Sequence, residues 1–361
     1  MGTILSIRRD WAEKLGVWPI DTVDQFESYL RKVKATDLNG NGKPDEIPFN
    51  PMYGDAGLEG IAIAMTYPYT GSVGWHHEWY NPVHIDNGKV TPSVLHPGFK
   101  TFLTKMAQWY KDGLINPDAA TSTWDNDNDL LAANRVGATS SWYSDFYGAW
   151  QTLLQTVPDA VYEHRALKGP NGAPAKLGLN APAAASWTYT SWASKDVVIA
   201  GIKLQDWFAA DKDNYLVQIH GVPKVNWDYI NKLSVNERPE IKHLGKSEDS
   251  YNYSFLGYNP WNGAVISEGW RPRAYRNANL QIAKMQAWIP PDWFVAYDFS
   301  GTKVDTGNVD AATFINEAIA NIIMGRSPVS EWDAKVAQYK SMWADEFIAT
   351  ATTQYKAAGG K

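Results

Sequence analysis

The sequence predicts an α/β protein in which helices cover a mostly parallel β-sheet. Short stretches with the alternation or the apolar runs of strands are interleaved with longer stretches whose apolar residues recur every three or four positions. The chain has 361 residues, which is long enough for two lobes but short for three ordinary domains. We therefore expect helices and strands to alternate through two lobes.

The first long helix is predicted to begin at a capping box, in which Thr22 precedes Gln25 by three residues. Apolar residues follow at helical spacing, so one face of this helix is expected to enter the core. That face consists of Val23, Phe26, Tyr29, Leu30 and Val33. Residues 47–65 are expected to form a strand, a turn and a short helix.

The second long helix is predicted to begin at Pro97 and to end at Gly113, because proline suits the first helical position and glycine suits the end. Its buried face is expected to consist of Phe99, Leu103, Met106, Trp109 and Tyr110. A short helix over 125–134 and a buried strand of small residues over 136–141 are expected next.

The alternation continues with strands expected over 161–166 and 186–193, followed by a helix over 195–208. The buried positions of that helix are expected to include Val198, Ile202 and Trp207.

Three more helices are predicted towards the end of the chain. The first spans 276–288 and ends at a Pro-Pro pair, and the second spans 309–324 and ends at Gly325. Ser330 is expected to cap the third helix. The apolar stripe of this last helix consists of Trp332, Val336, Tyr339, Trp343 and Phe347.

Residues 37–46, Asp-Leu-Asn-Gly-Asn-Gly-Lys-Pro-Asp-Glu, carry the strongest chemical signal. Oxygen-bearing side chains occupy positions 1, 3, 5, 9 and 10, and Gly42 occupies position 6, where an EF-hand loop turns sharply. Lys43 at position 7 can offer its carbonyl. The acid expected at position 12 is replaced by the Asp45-Glu46 pair, which makes this a shortened loop. The pattern favours a structural Ca²⁺ site over the alternative, a polar Asn-Gly turn.

Composition excludes several classes of function. The 33 basic and 39 acidic residues give a formal charge of −6 without a Lys/Arg stripe, which argues against nucleic acid or an anionic membrane as a partner. Cysteine is absent, so disulfides, thiolate metal sites and cysteine nucleophiles are excluded. No apolar run reaches the roughly 18 residues of a membrane span.

Aromatic residues make up 13% of the chain and include 18 Trp. Trp is bulky, stiff and half-amphipathic, so this amount exceeds the needs of a core alone. A cleft that binds sugars would use the surplus, because sugar C–H faces stack on rings while the hydroxyl groups form hydrogen bonds at the edges. For any single Trp, core packing remains the alternative.

Six segments, taken together and in order, resemble the extracellular solute-binding proteins of bacterial carbohydrate ABC importers, and the lipoprotein and alginate-binding group most of all. Typical examples are Ile-Arg-Arg-Asp-Trp-Ala-Glu-Lys-Leu-Gly at 7–16 and His-Gly-Val-Pro-Lys-Val-Asn-Trp at 220–227. The others lie at 37–48, 109–117, 136–142 and 323–333. Each segment is weak alone, but their shared order is specific.

The resemblance implies a periplasmic-binding-protein-like type II two-lobe fold. Residues 1–220 would form the second, C-terminal lobe with the calcium loop, residues 221–308 would return to the first lobe, and residues 309–361 would pack as helices across both lobes. Family members carry a signal peptide, a lipidated cysteine and most of an N-terminal lobe before the segment that matches residues 7–11. We therefore expect much of that lobe to be missing here, with an export signal removed or lying upstream.

The resemblance also implies a function and a set of calcium ligands. It implies a substrate-binding component that holds an oligosaccharide between its lobes and delivers it to ABC transporter permease subunits, without catalysis. The expected location is extracellular, as a cell-surface lipoprotein or in the periplasm, with membrane contact only through an absent lipid anchor. The implied Ca²⁺ ligands are Asp37, Asn39, Asn41, the carbonyl of Lys43, Asp45 and Glu46.

Five aromatic residues are the candidate sugar-binding positions when the family's segments are matched. They lie at or after the expected end of a strand, after a turn or, for Trp187, on a later strand, and such proteins place rings of this kind in the cleft. They are Tyr53, Trp75, Trp142, Tyr143 and Trp187.

The rival function is a secreted glycoside hydrolase or polysaccharide lyase, since these enzymes also use Trp-lined clefts and structural calcium. Such an enzyme needs two convergent carboxylates, or a base with a group that neutralises charge. The sequence offers several acids for this role: Asp125, Asp127, Asp129, Asp145 and Asp292. Spacing alone brings no pair of them together.

Overall fold

The computed structural model falls into two compact units. It describes residues 3–51, 58–72, 83–142, 147–170, 172, 176–178, 189–231, 240–245, 266–267, 287–288, 291–292 and 294–361. Unit 1 comprises Met1–Leu179 and Asn277–Lys361, and unit 2 comprises Asn180–Arg276. These boundaries differ from the predicted ones at 220 and 308, and the assignment of segments to lobes stays a prediction.

The strands and helices are numbered here in chain order. The strands are β1 Thr3–Arg8, β2 Ile47–Pro51, β3 Val83–Asp86, β4 Lys89–Pro92, β5 Val136–Trp142, β6 Tyr162–Arg165, β7 Leu177–Gly178, β8 Trp227–Asn231, β9 Glu240–His243, β10 Ile266–Ser267 and β11 Ala287–Trp288. The helices are α1 Arg9–Lys14, α2 Val23–Lys34, α3 Glu59–Met65, α4 Tyr67–Thr70, α5 Pro97–Lys111, α6 Trp124–Ala132, α7 Tyr147–Thr156, α8 Lys195–Ala210, α9 Lys212–His220, α10 Lys303–Thr306, α11 Asn308–Ile323, α12 Trp332–Tyr339 and α13 Asp345–Ala357. Short 3₁₀ turns occupy Ser93–Leu95 and Val329–Glu331, and a π-helical turn occupies Lys340–Ala344.

The main sheet of unit 1 is mixed, with the strand order β2-β5-β1-β6. Strand β1 runs antiparallel to both β5 and β6, and β2 runs parallel to β5. The prediction of a mostly parallel sheet was therefore wrong. The apolar pattern of a strand reports which faces are buried, but the direction of the strand is set by distant connections that no local pattern contains.

The two long helices of unit 1 form as predicted, and their aromatic residues meet in the core. Thr22 Oγ1 accepts a hydrogen bond from the Gln25 N–H, and Gln25 Oε1 accepts one from the Thr22 N–H, which completes the capping box of α2. Phe26 of α2 packs edge-on against Phe49 of β2 and Trp109 of α5, with ring centres 5.7 and 5.8 Å apart. All three rings are fully buried.

The C-terminal helices also follow the prediction, with one difference at their start. Trp332, Tyr339, Trp343 and Phe347 are buried, whereas Val336 is half-buried. Ser330 does not cap α12, because it lies inside the 3₁₀ turn and the capping position falls to Glu331 without a side-chain bond.

Arg8 ends β1 with a side chain that is completely buried. Its guanidinium donates hydrogen bonds to both carboxylate oxygens of Asp10, at 2.9 and 2.7 Å, and to Asn134 Oδ1 at 2.8 Å. It also lies 4.3 Å from the ring centre of Trp11. Burial works against the charge of Arg8, but pairing with Asp10 outweighs it and raises the pKa of Arg8. The buried cation therefore stays charged and joins β1, α1 and the turn after α6.

The described part of unit 2 has a small core. Strands β8 and β9 are antiparallel, β10 pairs with β9 in parallel, and helices α8 and α9 accompany them. The buried apolar cluster consists of Tyr215, Leu216, Trp227 and Ile241. Helix α8 forms as predicted, but its expected burial was wrong: Ile202 and Trp207 are 47% and 46% exposed, and Val198 is half-buried.

Two predicted elements were wrong where the structure describes them. Residues 189–193 of the predicted strand form a turn, in which the Thr190 carbonyl accepts the Ala193 N–H, and Ser194 then caps α8. Ala287 and Trp288, expected at the end of a helix, form β11 and pair with β7. Residues 186–188 and 276–286 lie outside the described residues.

The helices give no sign of a membrane span: within the described ranges, none combines the length and the apolar character that a crossing requires.

His164 lies on β6 inside the main sheet of unit 1 and is fully buried. Its Nδ1 lies 2.8 Å from Ser6 Oγ of β1. Burial lowers the pKa of His164 to about 3, so the side chain stays neutral in the folded protein. The folded pKa is below the unfolded value of about 6.5. The stability that depends on neutral His164 is therefore fully present above about pH 6.5 and is lost as the pH falls below it.

Acidification should therefore destabilise the chain in a way that depends on His164. We expect the free energy of unfolding to fall by about 2 kcal/mol between pH 8 and pH 5 from this residue alone, as measured by urea denaturation. His164→Gln should lower stability at pH 8 but flatten this decline. Leu103→Ala, a destabilising core control without a titratable group, should keep the decline of the unmodified chain. Equal slopes for His164→Gln and the unmodified chain would contradict the assignment.

Candidate metal loop and ligand positions

Residues 37–46 form the loop between α2 and β2. The loop turns at Gly40 and Gly42, whose φ angles of +79° and +86° fall in the left-handed region that favours glycine. Asp37 Oδ1 accepts the N–H groups of Gly40 and Asn41 at 2.8 and 3.2 Å, and Asp37 Oδ2 accepts that of Gly42 at 2.8 Å. The backbone of the loop is therefore wrapped around the Asp37 carboxylate.

Two amide side chains converge on Asp45, a second half-buried carboxylate of the loop. Asn41 Nδ2 and Asn39 Nδ2 lie 2.9 and 3.4 Å from Asp45 Oδ1. The bond from Asn41 lowers the pKa of Asp45, and the bond from Asn39 and the nearby charge of Arg135 act in the same direction. Arg135 also donates to the Asp45 carbonyl at 2.9 Å, which ties the loop to the residue before β5.

Glu46 is the buried acid of the loop, with 6% of its surface exposed. Its Oε1 accepts the Leu38 N–H at 2.6 Å and the Asn39 N–H at 2.9 Å. Its Oε2 is buried and has no hydrogen-bond partner among the residues that the structure describes. A buried, unsatisfied carboxylate oxygen is costly unless a cation or a water molecule meets it.

The donor set of the loop suits a hard cation. Carboxylate and amide oxygens and the Lys43 carbonyl are the ligands that Ca²⁺ prefers, and each oxygen can accept more than one interaction. Across the described ranges, no group of three or more His, Cys, Asp or Glu side chains is arranged to hold a metal. A site here would therefore depend on Asn39, Asn41 and the carbonyl as much as on acids. The unsatisfied Glu46 Oε2 is the observation that fits a cation.

The predicted sugar-binding residues lie largely outside what the structure describes. The backbone of Trp142 ends β5 and pairs with Thr3, but its side chain is not described. Tyr53, Trp75, Tyr143 and Trp187 fall outside the described residues altogether. Their roles stay predictions.

Sequence reasoning missed a buried polar network at the end of β2. Asn50 Nδ2 and Ser122 Oγ donate to Asp127 Oδ1 at 3.0 and 2.7 Å, and Asn116 Nδ2 donates to Asn50 Oδ1 at 2.7 Å. Burial raises the pKa of Asp127, which is 3% exposed. The signal in the sequence was the pair of Asn-Pro steps, Asn50-Pro51 and Asn116-Pro117, each at the end of an apolar stretch.

Two curated proteins are similar to this chain in sequence. Lipoprotein LipO of Bacillus subtilis is 28% identical over 169 residues, which are 46% of this chain and 32% of LipO. The fructooligosaccharide ABC transporter substrate-binding protein FusA of Streptococcus pneumoniae is 29% identical over 123 residues, 33% of this chain and 21% of FusA. The matches thus span a third or less of each relative. No family model matches the chain.

Solved structures share the fold over nearly the whole chain. An HMO-binding ABC-transporter-associated solute-binding protein from Bifidobacterium longum infantis matches with a TM-score of 0.70 and 18% identity, covering 100% of this chain and 75% of that one. The alginate-binding protein AlgQ2, solved without calcium ion, gives a TM-score of 0.65 and 20% identity over 98% and 72% of the two chains. An EF-hand mutant of FusA from S. pneumoniae with fructo-nystose matches with a TM-score of 0.63 and 16% identity, covering 99% of this chain and 72% of that one. The predicted fold class, that of the two-lobe solute-binding proteins, is thereby confirmed.

The contribution of the Glu46 hydrogen bonds to the stability of the loop can be tested without metal. In excess chelator, Glu46→Ala should lower the free energy of unfolding by about 2 kcal/mol, because the Leu38 and Asn39 N–H groups lose their acceptor. Glu13→Ala, which removes an exposed acid paired with Arg9, should cost less than about 1 kcal/mol. Chemical denaturation of both variants measures the difference. Equal losses would show that the Glu46 bonds do not stabilise the loop.

Proposed function

We propose that this chain, whose relatives and structural neighbours include carbohydrate ABC-transporter solute-binding proteins, is the substrate-binding component of such an importer. In this role it holds an oligosaccharide without converting it and delivers it to permease subunits in the membrane. The observation that carries the proposal is the joint match in sequence and fold to proteins named for this role. LipO is named a lipoprotein, which supports an extracytoplasmic location at the cell surface or in the periplasm.

The proposed ligand contacts are the rings of Tyr53, Trp75, Trp142, Tyr143 and Trp187, stacked on sugar C–H faces. The geometry of the sheet supports two of these positions. Strand β2 ends at Pro51, two residues before Tyr53 in the sequence, and β5 ends at Trp142. Because β2 and β5 are parallel, their C-terminal ends lie at the same edge of the sheet. Ligands of α/β proteins bind beyond that kind of edge.

Binding is favoured over hydrolysis or elimination by the names of the relatives and by the environment of one acid. A glycosidase needs two carboxylates that face the substrate. Asp127, one of the acids available for that role, is buried and serves as a hydrogen-bond acceptor for Asn50 and Ser122. It is therefore a structural group that holds the end of β2.

We also propose that the loop over residues 37–46 binds a structural Ca²⁺. The ligands would be Asp37, Asn39, Asn41, the Lys43 carbonyl, Asp45 and Glu46. The unsatisfied Glu46 Oε2 and the purely oxygen donor set support this assignment. So do the names of two structural neighbours, one an alginate-binding protein described without calcium ion and one an EF-hand mutant. When bound, the ion would neutralise the acids and fasten the end of α2 to the start of β2.

The carbohydrate proposal is tested by calorimetry with kestose, fructo-nystose, alginate oligosaccharides and N-glycan fragments. We expect at least one to bind, and Trp142→Ala to weaken that binding about 5- to 30-fold through the lost stacking contact. Trp192→Ala, which removes a ring that is 85% exposed in unit 2, is the matched control and should leave affinity unchanged. New reducing ends or unsaturated products in the same mixtures would establish an enzyme instead. Binding of no sugar in the panel would refute the proposal.

The calcium proposal is tested by melting temperature. Chelator should lower it and added Ca²⁺ should restore it, because a ligand at 100 times its Kd stabilises the folded state by about 2.7 kcal/mol. Asp37→Ala should abolish the shift, whereas Asp333→Asn, a change to an exposed acid on α12, should retain it. Melting curves that change with neither chelator nor Ca²⁺ would contradict the calcium proposal and would leave the carbohydrate proposal unaffected.

A further inference from the structure

The loop between α2 and β2 contains two of the five Asn-Gly steps in the chain, Asn39-Gly40 and Asn41-Gly42. A third step, Asn87-Gly88, forms the turn between β3 and β4. In the remaining two, Asn171 and Asn262 lie outside the described residues. Asn-Gly is the dipeptide at which an asparagine side chain reacts most readily with its own backbone, so each step is a potential modification site.

The reaction at an Asn-Gly step is deamidation. The glycine nitrogen loses its proton and attacks the carbonyl carbon of the Asn side chain, and the Asn amide nitrogen leaves with that proton as ammonia. Water then opens the resulting succinimide ring at one of its two carbonyl groups, which gives aspartate or isoaspartate. Glycine favours ring closure because it has no Cβ and its backbone rotates freely. The hydrogen bonds of the glycine nitrogen and of the Asn amide therefore control the rate.

Both glycine nitrogens of the loop are held by one carboxylate. Asp37 Oδ1 accepts the Gly40 N–H at 2.8 Å, and Asp37 Oδ2 accepts the Gly42 N–H at 2.8 Å. Each nitrogen would have to give up this proton to attack, and the loss would place a second negative charge against the Asp37 carboxylate. Asp37 therefore opposes the first step of deamidation at Asn39 and at Asn41.

The two Asn side chains are also held at both ends of their amide groups. Asn39 Oδ1 accepts the Asn41 N–H at 3.0 Å, and Asn41 Oδ1 accepts the Lys43 N–H at 2.8 Å. Their Nδ2 atoms lie 3.4 and 2.9 Å from Asp45 Oδ1. Ring closure requires the side chain to rotate towards the next backbone nitrogen, and these bonds oppose that rotation.

Asn87 provides a reference within the same molecule. It is exposed at the tip of the β3–β4 hairpin, and its Nδ2 donates to Asp86 Oδ1 at 3.0 Å in a bond that is open to solvent. Neither Asp37 nor Asp45 bonds to this step. The reactivity of Asn87 is therefore independent of the loop and reports on the rest of the fold.

We propose that Asn39 and Asn41 are latent deamidation sites, which the Asp37 and Asp45 carboxylates keep unreactive while the loop is ordered. Once the loop opens, conversion of Asn41 replaces a donor to Asp45 with a carboxylate. The two carboxylates repel each other, so the first conversion favours the open loop and exposes Asn39 to the second. Loss of ammonia makes the change irreversible. The inference rests on the hydrogen bonds of the loop alone and is independent of carbohydrate and of calcium.

The test follows each asparagine by peptide mass spectrometry, which detects the mass gain and separates aspartate from isoaspartate. The protein is kept warm at mildly alkaline pH in excess chelator, so that no bound cation contributes. Four samples are compared: the unmodified protein in buffer, the same protein in denaturing urea, Asp37→Ala, and Asp333→Ala. The last is the matched control, because Asp333 is an exposed acid on α12. Asp45→Ala is measured as a second loop variant.

We expect Asn39 and Asn41 to convert about tenfold more slowly in the folded protein than in urea, because bonds to a charged group are lost on unfolding. Asp37→Ala should accelerate both conversions, Asp333→Ala should leave them unchanged, and Asn87 should convert alike in all the folded proteins. Equal loop rates in buffer and urea, or loop rates that Asp37→Ala does not raise, would overturn the proposal.

The Asn87 rate separates local opening of the loop from unfolding of the variant. If Asp37→Ala raises the Asn87 rate to its value in urea, the variant has unfolded, and Asp45→Ala then decides. That change releases the two Asn side chains but keeps the bonds from Gly40 and Gly42 to Asp37. Faster conversion of both loop residues in Asp45→Ala, with Asn87 unchanged, would support the proposal, and unchanged loop rates would overturn it.

Discussion

The main sheet of unit 1 depends on a charge that has no access to water. Arg8 is buried at the end of β1, and its contacts reach two other parts of the chain: Asp10 and the Trp11 ring in α1, and Asn134 after α6. The Tyr29 hydroxyl of α2 donates a hydrogen bond to the Gly137 carbonyl of β5 at 2.9 Å and lies 3.4 Å from the Arg8 carbonyl. A buried charge is tolerated only when its partners are in place, since removal of one partner leaves an uncompensated charge that costs several kcal/mol. This requirement makes the position of β1 depend on α1 and on the turn after α6.

Strand β2 is held at both ends by polar groups, and this arrangement links the two candidate sites. At its start, Glu46 accepts hydrogen bonds from the backbone of the preceding loop, and Arg135, the residue before β5, donates to the Asp45 carbonyl of that loop. At its end, Asn50 lies in the network with Asp127 and Asn116. A cation in the loop would thus stiffen the same strand whose far end precedes Tyr53. The proposed calcium site and the proposed sugar site are connected by one short, firmly anchored element.

Local patterns in the sequence predicted the features that a single segment of the chain determines. Helix α2 could be predicted with its capping box and buried face, and α5 with its ends and most of its buried face, of which Tyr110 is only half-buried. A capping box and a 3.6-residue period are properties of a single segment. The direction of β1 could not be predicted, since it is set by pairing across more than a hundred residues. The exposure of Trp207 was missed for another reason: helical spacing shows which residues share a face of the helix, but not whether that face is covered. The spacing of residues 37–46 predicted the oxygen donors, but only the structure shows that Glu46 turns inward to the Leu38 and Asn39 amides.

The chain leaves unit 1 after Leu179 and re-enters it at Asn277, so unit 2 is an insertion. The returning segment completes unit 1 with contacts between residues very far apart, such as the bond from the Val90 N–H of β4 to Thr352 Oγ1 of α13. Such closures are entropically slow to form. A ribosome releases β1 to β6 long before α11 to α13, so the early part of the nascent chain must wait with an open apolar flank. Apolar surface that is exposed in this way during synthesis favours aggregation until the returning helices cover it.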